Sequence, residues 1–326
     1  MTTPVQFLIN EGDAGSRVDQ FCALRFGNLS RMRIANLLEA GGCRVNGSAA
    51  RAGYRLAAGD LVEVAFEDGP PTAMTPEPIP LDIAYEDDQI VVVVKPAGML
   101  VHPTRSVKTG TLANALAYHL NRTKLEDRGS RIKSPADCPV DPQSAILNPR
   151  PAVRPGLVHR LDRATSGLMV IAKMPRSLAT LSRHFRKRLV EKRYVGLIWG
   201  EVEQDHGTIT APIGRDPDGQ PQWQVMENGK TAETRFKVME RLPGATLLEL
   251  EPVTGRTNQL RIHCAHMGHP IIGDRLYCES HYPHCGVRLC LHAWKLAFHH
   301  PVTGEWMEFC SAIPHDIRAF FEGLRA

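Results

Sequence analysis

The side chains with the most concentrated chemical potential lie in His159-Arg160-Leu161-Asp162-Arg163-Ala164-Thr165-Ser166-Gly167. One carboxylate, Asp162, sits among two arginines, a histidine and two hydroxyls. The string runs straight into Leu168-Met169-Val170-Ile171-Ala172, apolar enough for a fully buried strand. A strand tied into the core is a rigid mount for a reactive side chain. A lone Asp near a turn more often holds its own loop by bonding nearby backbone, so only the whole string points to chemistry. A second segment, Arg183 to Arg193, carries six Lys/Arg and one Glu, then meets Tyr194 and the apolar Val195-Gly196-Leu197-Ile198. A basic run of this kind is commonly a solvated helix face, and a Tyr heading a buried strand is commonly its amphipathic edge. A third segment is Val253-Thr254-Gly255-Arg256-Thr257-Asn258-Gln259-Leu260-Arg261-Ile262-His263, in which Arg261 taken alone reads as a surface strand residue in an ordinary ion pair.

Together these segments resemble the ribosomal-large-subunit type of pseudouridine synthase. Its catalytic motif is H-R-L-D-x-x-T-S-G, and His159 to Gly167 matches every specified position. Lys192-Arg193-Tyr194 matches the family's K-x-Y, and Gly255 to His263 matches G-R-T-H-Q-[LI]-R-[VI]-H except that Asn258 stands in place of His. Ile90 to Val94 with the turn Lys95-Pro96-Ala97-Gly98, and then Val101-His102-Pro103, match the strand ending in K-P-x-G and the V-H-P that precede the motif. The resemblance implies that Asp162 is the nucleophile, that Tyr194 stacks on the target uracil near its carbon five, and that Arg261 pairs with Asp162. An Arg partner keeps a carboxylate ionised and fixes its rotamer. It also implies substrate contacts from His159, Arg160, Lys192, Arg256, Asn258 and Gln259, with Arg160 placed to hold displaced RNA backbone. The basic run then supplies phosphate contacts through Arg186, Lys187 and Arg188. Asn hydrogen-bonds but cannot become a cation, so the departure at 258 excludes a protonated imidazole there and leaves the core chemistry intact.

The elements that must position these groups fall into two domains. Residues 12–66 show two helical patterns: one through Val18, Phe21, Cys22 and Leu24, and one from the N-cap candidate Ser30 through Ile34 and Leu38 to Gly41-Gly42. A strand ending in the Asn46-Gly47 turn and the alternating strand Leu61 to Phe66 follow. This module resembles the small S4-like RNA-binding domain, with Arg17, Arg31, Arg33 and Arg51 as phosphate contacts; such contacts add affinity without sequence information. Residues 67–80 hold five prolines and read as a semi-rigid linker. Residues 81–326 form the large domain, with Ile90 to Val94 a buried strand and Thr111 to Leu120 a short helix. Residues 121–156 are polar and Pro-rich and read as an insertion. The expected fold is α+β: a large mixed, mainly antiparallel sheet with flanking helices and a small N-terminal α+β module.

Bulk properties narrow the function classes. The chain has 326 residues, 43% of them hydrophobic, and a formal net charge of +4. That supports a sizeable core and local basic patches, not a histone-like polycation. Eight cysteines are too sparse for a disulfide scaffold, and neither a signal peptide nor an apolar run of membrane-spanning length is evident. A soluble, monomeric protein of the cytoplasm is expected. Cys278, His281, His284, Cys285 and Cys290 could suggest zinc. They lack a paired C-x2-C and flank Tyr282-Pro283 irregularly, so free thiols and surface histidines are expected instead. No cofactor is expected, because uridine isomerisation oxidises nothing and transfers nothing between molecules. RNA is the expected partner: ribosomal RNA, or transfer RNA as for relatives without the module. A non-catalytic ribosome-assembly factor would lack the Asp, Tyr or Arg; all three are present. A retaining glycoside hydrolase would need a second nearby carboxylate, and the three matched motifs hold none besides Asp162.

Overall fold

The structure, a computed structural model, describes residues 4–26, 31–65, 75–129, 154–215, 222–278, 282 and 285–325, with backbone only for 31–33 and 122–129. Ser30, residues 67–74 of the linker and 130–153 of the expected insertion lie outside the described residues. So do His281, His284 and the side chains of Arg31 and Arg33. Two compact units emerge, one of residues 1–80 with 102–155, the other of 81–101 with 156–326. The segment 102–129, read from sequence as part of the large domain, thus groups with the first unit.

In the first unit, β1 (Val5–Leu8), β4 (Leu61–Val64), β2 (Cys43–Val45) and β3 (Ser48–Ala49) pair antiparallel in the order β1-β4-β2-β3. Helices α1 (Val18–Arg25) and α2 (Arg31–Glu39) bury Val18, Phe21, Cys22, Ile34 and Leu38 in one cluster with Phe7, Val62 and Val64. β1 lies outside the 12–66 boundary; only Phe7 of its four residues is buried enough to mark it. Asn46 (φ 50°) and Gly47 (φ 79°) make the β2–β3 turn, both left-handed as a two-residue hairpin requires. Helix α3 (Leu112–Gly129) continues past Leu120, where the insertion was expected to begin. No Pro or Gly interrupts 121–128, and Lys, Leu, Glu and Arg propagate a helix well.

The second unit is built on a mainly antiparallel sheet in the order β10-β13-β14-β9-β15-β8-β6-β5, with β7 on β8 and β16 on β15. Its strands are β5 (Asp82–Glu86), β6 (Ile90–Lys95), β7 (Gly156–Leu157), β8 (Ser166–Ala172), β9 (Glu191–Trp199), β10 (His206–Thr210), β13 (Glu233–Leu242), β14 (Ala245–Pro252), β15 (Leu291–His299) and β16 (Trp306–Cys310). A separate hairpin pairs β11 (Ile213–Arg215) with β12 (Trp223–Val225). Helices α4 (Pro175–Arg186), α5 (Gln259–His266) and α6 (His315–Gly323) complete the unit. Every residue of β8 is buried, as its unbroken apolar run demands.

Register matters most for the site. Lys95 pairs with Gly167, Gly167 with Ala293, and Ala293 with Tyr194, so one row across β6, β8, β15 and β9 carries the end of the Asp162 loop and Tyr194. The β8–β15 pairing is parallel and close. A Cβ on Gly167 (φ 122°) would lie 2.3 Å from the Ala293 carbonyl oxygen, so the motif's terminal glycine is a steric requirement.

Candidate active site

The 159–167 string becomes a loop leading into β8, and three contacts make it rigid. Ser166 Oγ lies 2.9 Å from His292 Nδ1, both buried; burial pushes His292 down to about 4 and keeps it neutral. Leu161 is buried beneath the loop. Lys95, fully buried, donates from Nζ to the carbonyls of Pro96 (2.8 Å), Met99 (2.9 Å) and Arg163 (3.3 Å). Gly98 N and Arg163 Nε close the same clasp, bonding Arg163 O (2.7 Å) and Gly98 O (2.9 Å). The Lys-Pro-Ala-Gly turn is thus a clamp on the residue after Asp162. Burial pushes Lys95 down to about 8, opposed by the Asp162 charge, so it remains an ammonium at neutral pH. Replacing Lys95 with Met buries an apolar end in place of the ammonium and leaves the Pro96 and Met99 carbonyls without their Nζ donor, while the Arg163 carbonyl keeps only Gly98 N. The expected loss of unfolding free energy is at least about 2 kcal/mol, read from a denaturant midpoint; an unchanged midpoint rules the clamp out.

Asp162 lies at one wall of a cleft of about 520 Å³ whose lining includes His159, Arg160, Thr165, Arg186, Arg188, Lys192, Tyr194, Arg256, Asn258, Gln259 and Arg261. Segments distant in sequence therefore converge on one cavity. Lys187 is exposed and does not line it. Desolvation raises the Asp162 carboxyl, and the charges of Arg261, Arg160 and Lys95 oppose that shift while Asp274 adds to it. Burial, with the Asp162 charge, raises Tyr194, which stays a neutral phenol.

Arg261 lies on helix α5 and not on a strand. Its Nη1 stands 4.0 Å from Asp162 Oδ2, so the expected pair is present only as a loose contact. The guanidinium fork is taken by Asp274, through Nε and Nη2 at 2.7 Å each. Asp274, whose side chain is fully buried, also accepts from the backbone N–H groups of Leu276 and Tyr277. The Arg261 guanidinium lies 5.0 Å over the Tyr277 ring. Asp274 and Tyr277 are absent from the sequence-derived site, because they lie outside the three motif segments that carry the resemblance.

Several expected substrate contacts are committed inside the protein. The Gln259 amide accepts from Thr254 Oγ1 and Arg256 N and donates to Glu233 O and Thr234 Oγ1, so it braces the turn into α5 and has no capacity left for substrate. His159 Nε2 accepts from Val170 N at 3.1 Å, and its ring stacks on Phe185. Burial pushes His159 down to about 3, making it a neutral wall. Arg256 Nε donates to Thr231 O. Lys192 lines the cleft with its pKa lowered by burial. Arg160, Arg186 and Arg188 are exposed at the cleft; Arg188 holds a left-handed conformation (φ 59°) just past α4. In the first unit, Arg17 is exposed but paired with Asp19 at 2.9 Å, and Arg51 is exposed. Among the described residues no group of three metal-ligating side chains forms, and Cys285 and Cys290 are free thiols.

A carboxylate nucleophile candidate, a neutral phenol and a carboxylate-bound arginine on a basic cleft suit chemistry at a base in a polyanion. Comparison with known proteins points the same way. A family model described as RNA pseudouridylate synthase matches residues 89–266. The uncharacterized RNA pseudouridine synthase YlyB of Bacillus subtilis is 36% identical over 321 residues, 98% of each chain. The ribosomal large subunit pseudouridine synthase D of Nitrosomonas europaea is 34% identical over 329 residues, covering 98% of this chain and 88% of that one. Among solved structures, human RNA pseudouridylate synthase domain containing 4 matches the fold with a TM-score of 0.57 at 23% identity, over 75% of this chain and 93% of that one. With the motif loop, the cleft and full-length relatives in agreement, the chain belongs to the RNA pseudouridine synthase family and is an isomerase acting on RNA.

Proposed function

We propose that the substrate is large-subunit ribosomal RNA and that Asp162 is the nucleophile. The name of the Nitrosomonas relative supports the target. The observation that carries the site is the convergence of Asp162, Tyr194 and Arg261 on one basic cleft. In the reaction the bond from ribose C1′ to uracil N1 breaks and a bond from C1′ to C5 forms. The C5 proton is lost and N1 carries a proton, so atoms balance without a cofactor. Asp162 attacks either uracil C6 or ribose C1′. A stacked uridine is out of reach, so the nucleotide is flipped into the cleft at a cost of a few kcal/mol. Stacking on Tyr194 and phosphate contacts from Arg160, Arg186 and Arg188 offset that cost. Lys187, Lys192 and Arg256 extend the positive surface around the target.

The N-terminal module, read as S4-like, supplies affinity through Arg31, Arg33 and Arg51. Cys22, Cys43, Cys264, Cys285, Cys290 and Cys310 are free thiols, which suits the reducing cytoplasm, and we read the protein as a monomer there. No described helix is long and apolar enough to cross a membrane. The deciding experiment maps pseudouridines in total RNA from cells with and without this protein. Loss of a large-subunit site supports the reading. Loss of a transfer-RNA site only, or of none, overturns the target. For the module, alanine at Arg31, Arg33 and Arg51 together should raise the half-saturating RNA concentration and keep the single-turnover plateau. The salt dependence of binding should flatten by about 0.7 to 0.9 in log–log slope per lost phosphate contact. A collapsed plateau at an unchanged half-saturation point would show that the module helps build the active site.

A further inference from the structure

Asn258 stands in a conformation that favours few residues and makes contacts that its position alone does not require. It lies at the N-cap of α5 with φ 53° and ψ 19°, in the left-handed region that Asn, Asp and His tolerate better than other side chains. A capping role would explain an Asn there, yet its side chain makes no cap hydrogen bond to α5. The amide instead bridges Asp162 and Tyr277. Which end faces which is decided by chemistry. With Oδ1 toward Asp162, an amide oxygen would face two carboxylate oxygens at 3.0 to 3.1 Å, with only a 3.5 Å contact from Arg261 Nη1 in return. With Nδ2 toward Asp162, the amide donates to Oδ1 at 3.1 Å and Oδ2 at 3.0 Å, and its oxygen accepts from the Tyr277 hydroxyl at 3.0 Å. The second arrangement satisfies the amide, both Asp162 oxygens and the Tyr277 hydroxyl, and gives up only the long Arg261 contact. Asn258 Nδ2 then lies closer to Asp162 than Arg261 does, since the Arg261 fork is held by Asp274 and only Nη1 approaches, at 4.0 Å.

We infer that Asn258 is the positioning residue of Asp162: a neutral amide, itself oriented by Tyr277, that holds the carboxylate ionised and in one rotamer for attack. The inference rests on the reading of Asp162 as nucleophile. It gives Tyr277 a part as well, because Tyr277 both orients the amide and lies under the Arg261 guanidinium. A neutral donor suits this position, since Arg261, Arg160 and Lys95 already face Asp162 from α5, the loop and β6. Asp274, Tyr277 and Tyr194 face it from the segment after α5 and from β9. A donor to the ionised form lowers a carboxyl pKa and its loss raises it, which separates this role from a merely structural one.

The test uses the full-length protein and three variants that tolerate the left-handed backbone: Asn258→Gly, Asn258→Asp and Asn258→His. Activity is measured in single turnovers on large-subunit ribosomal RNA purified from cells lacking the protein. Asn258→Gly should lower the maximal rate roughly 10- to 100-fold, as expected for one charge-assisted hydrogen bond, at an unchanged half-saturating RNA concentration. Its acid limb should move to higher pH. Asn258→Asp places a second carboxylate against the first and should lose more. Asn258→His restores a ring N–H donor and should recover most of the rate. A second readout needs no substrate: the carboxyl carbon of Asp162, followed by NMR across pH, should titrate at higher pH in Asn258→Gly than in wild type. An unchanged Asp162 titration, or variants with wild-type rate and pH profile, overturns the positioning role. Wild-type protein that isomerises no uridine while the titration still shifts overturns the substrate reading and leaves the contact standing.

Discussion

Asp162→Asn should abolish isomerisation, with a loss of roughly 10³-fold or more in single-turnover rate, while RNA affinity stays near wild type. Amide and carboxylate are nearly isosteric, so the loop clamped by Lys95 and seated on Ser166 and His292 should not move. The shape is kept, while the charge and the nucleophilicity are removed. The same substitution should make the protein more stable at neutral pH. Burial raises the Asp162 pKa in the folded state above its unfolded value. The ionised group therefore costs folding free energy once pH exceeds the folded-state pKa, and that cost fades as pH falls through it. An amide has no such cost. A Tm advantage for Asp162→Asn at pH 7 that shrinks on acidification, paired with a dead enzyme, is the signature of a site kept at the expense of stability. For the wild type, the acid limb of kcat/KM should sit above the ordinary carboxylate range. Retention of more than about a tenth of the wild-type rate in Asp162→Asn would remove Asp162 from the nucleophile role.

How much of this was legible in the sequence depends on the range of the interaction. The buried strands β6 and β8 read directly, because an unbroken run of Ile, Val, Leu and Met has only one comfortable place in a soluble fold. The Asn46-Gly47 hairpin read directly from its turn chemistry. The motif loop read through its resemblance to a family motif, and the demands that fix it come from afar: Gly167 is pressed by Ala293 and Ser166 bonds His292, 126 residues away in each case. Helix α5 did not read directly. It buries Gln259, Leu260, Ile262, His263 and Cys264, so polar and apolar residues both face inward and no 3.6-residue stripe survives. Commitments made at long range were equally hidden. Gln259 and His159 look like substrate ligands until Glu233, Thr234 and Val170 are seen to occupy them. Lys95 reads only as part of a turn, until its ammonium is seen to bond the carbonyl of Arg163, 68 residues away. Partner identity across such separations is a product of the sheet register, which a linear pattern does not encode.

The division of Arg261 between two carboxylates leads to the second large effect. Arg261→Ala removes the side-chain partner of a fully buried Asp274 and the nearest cation to Asp162 at once. An uncompensated buried charge costs about 3–5 kcal/mol, so the Ala variant should lose that much stability and also be nearly inactive. Arg261→Lys keeps a positive charge between the two acids but not the planar fork. Its stability loss should be smaller, and its rate should still fall, because one ammonium cannot hold Asp274 through two parallel bonds and remain in reach of Asp162. Asp274→Asn separates the two roles. It removes a negative charge that pushes the Asp162 pKa up, so the acid limb of the rate should move to lower pH while the loosened fork lowers the plateau. Arg261→Ala should move the same limb to higher pH, since the largest charge opposing burial is gone. Opposite displacements of the limb by Asp274→Asn and Arg261→Ala, at little-changed RNA affinity, show that Asp274 sets how much of Arg261 reaches the nucleophile. Displacement in the same direction, or a full rate in Arg261→Lys, places Arg261 outside the reacting centre and leaves its pair with Asp274 as a fold contact alone.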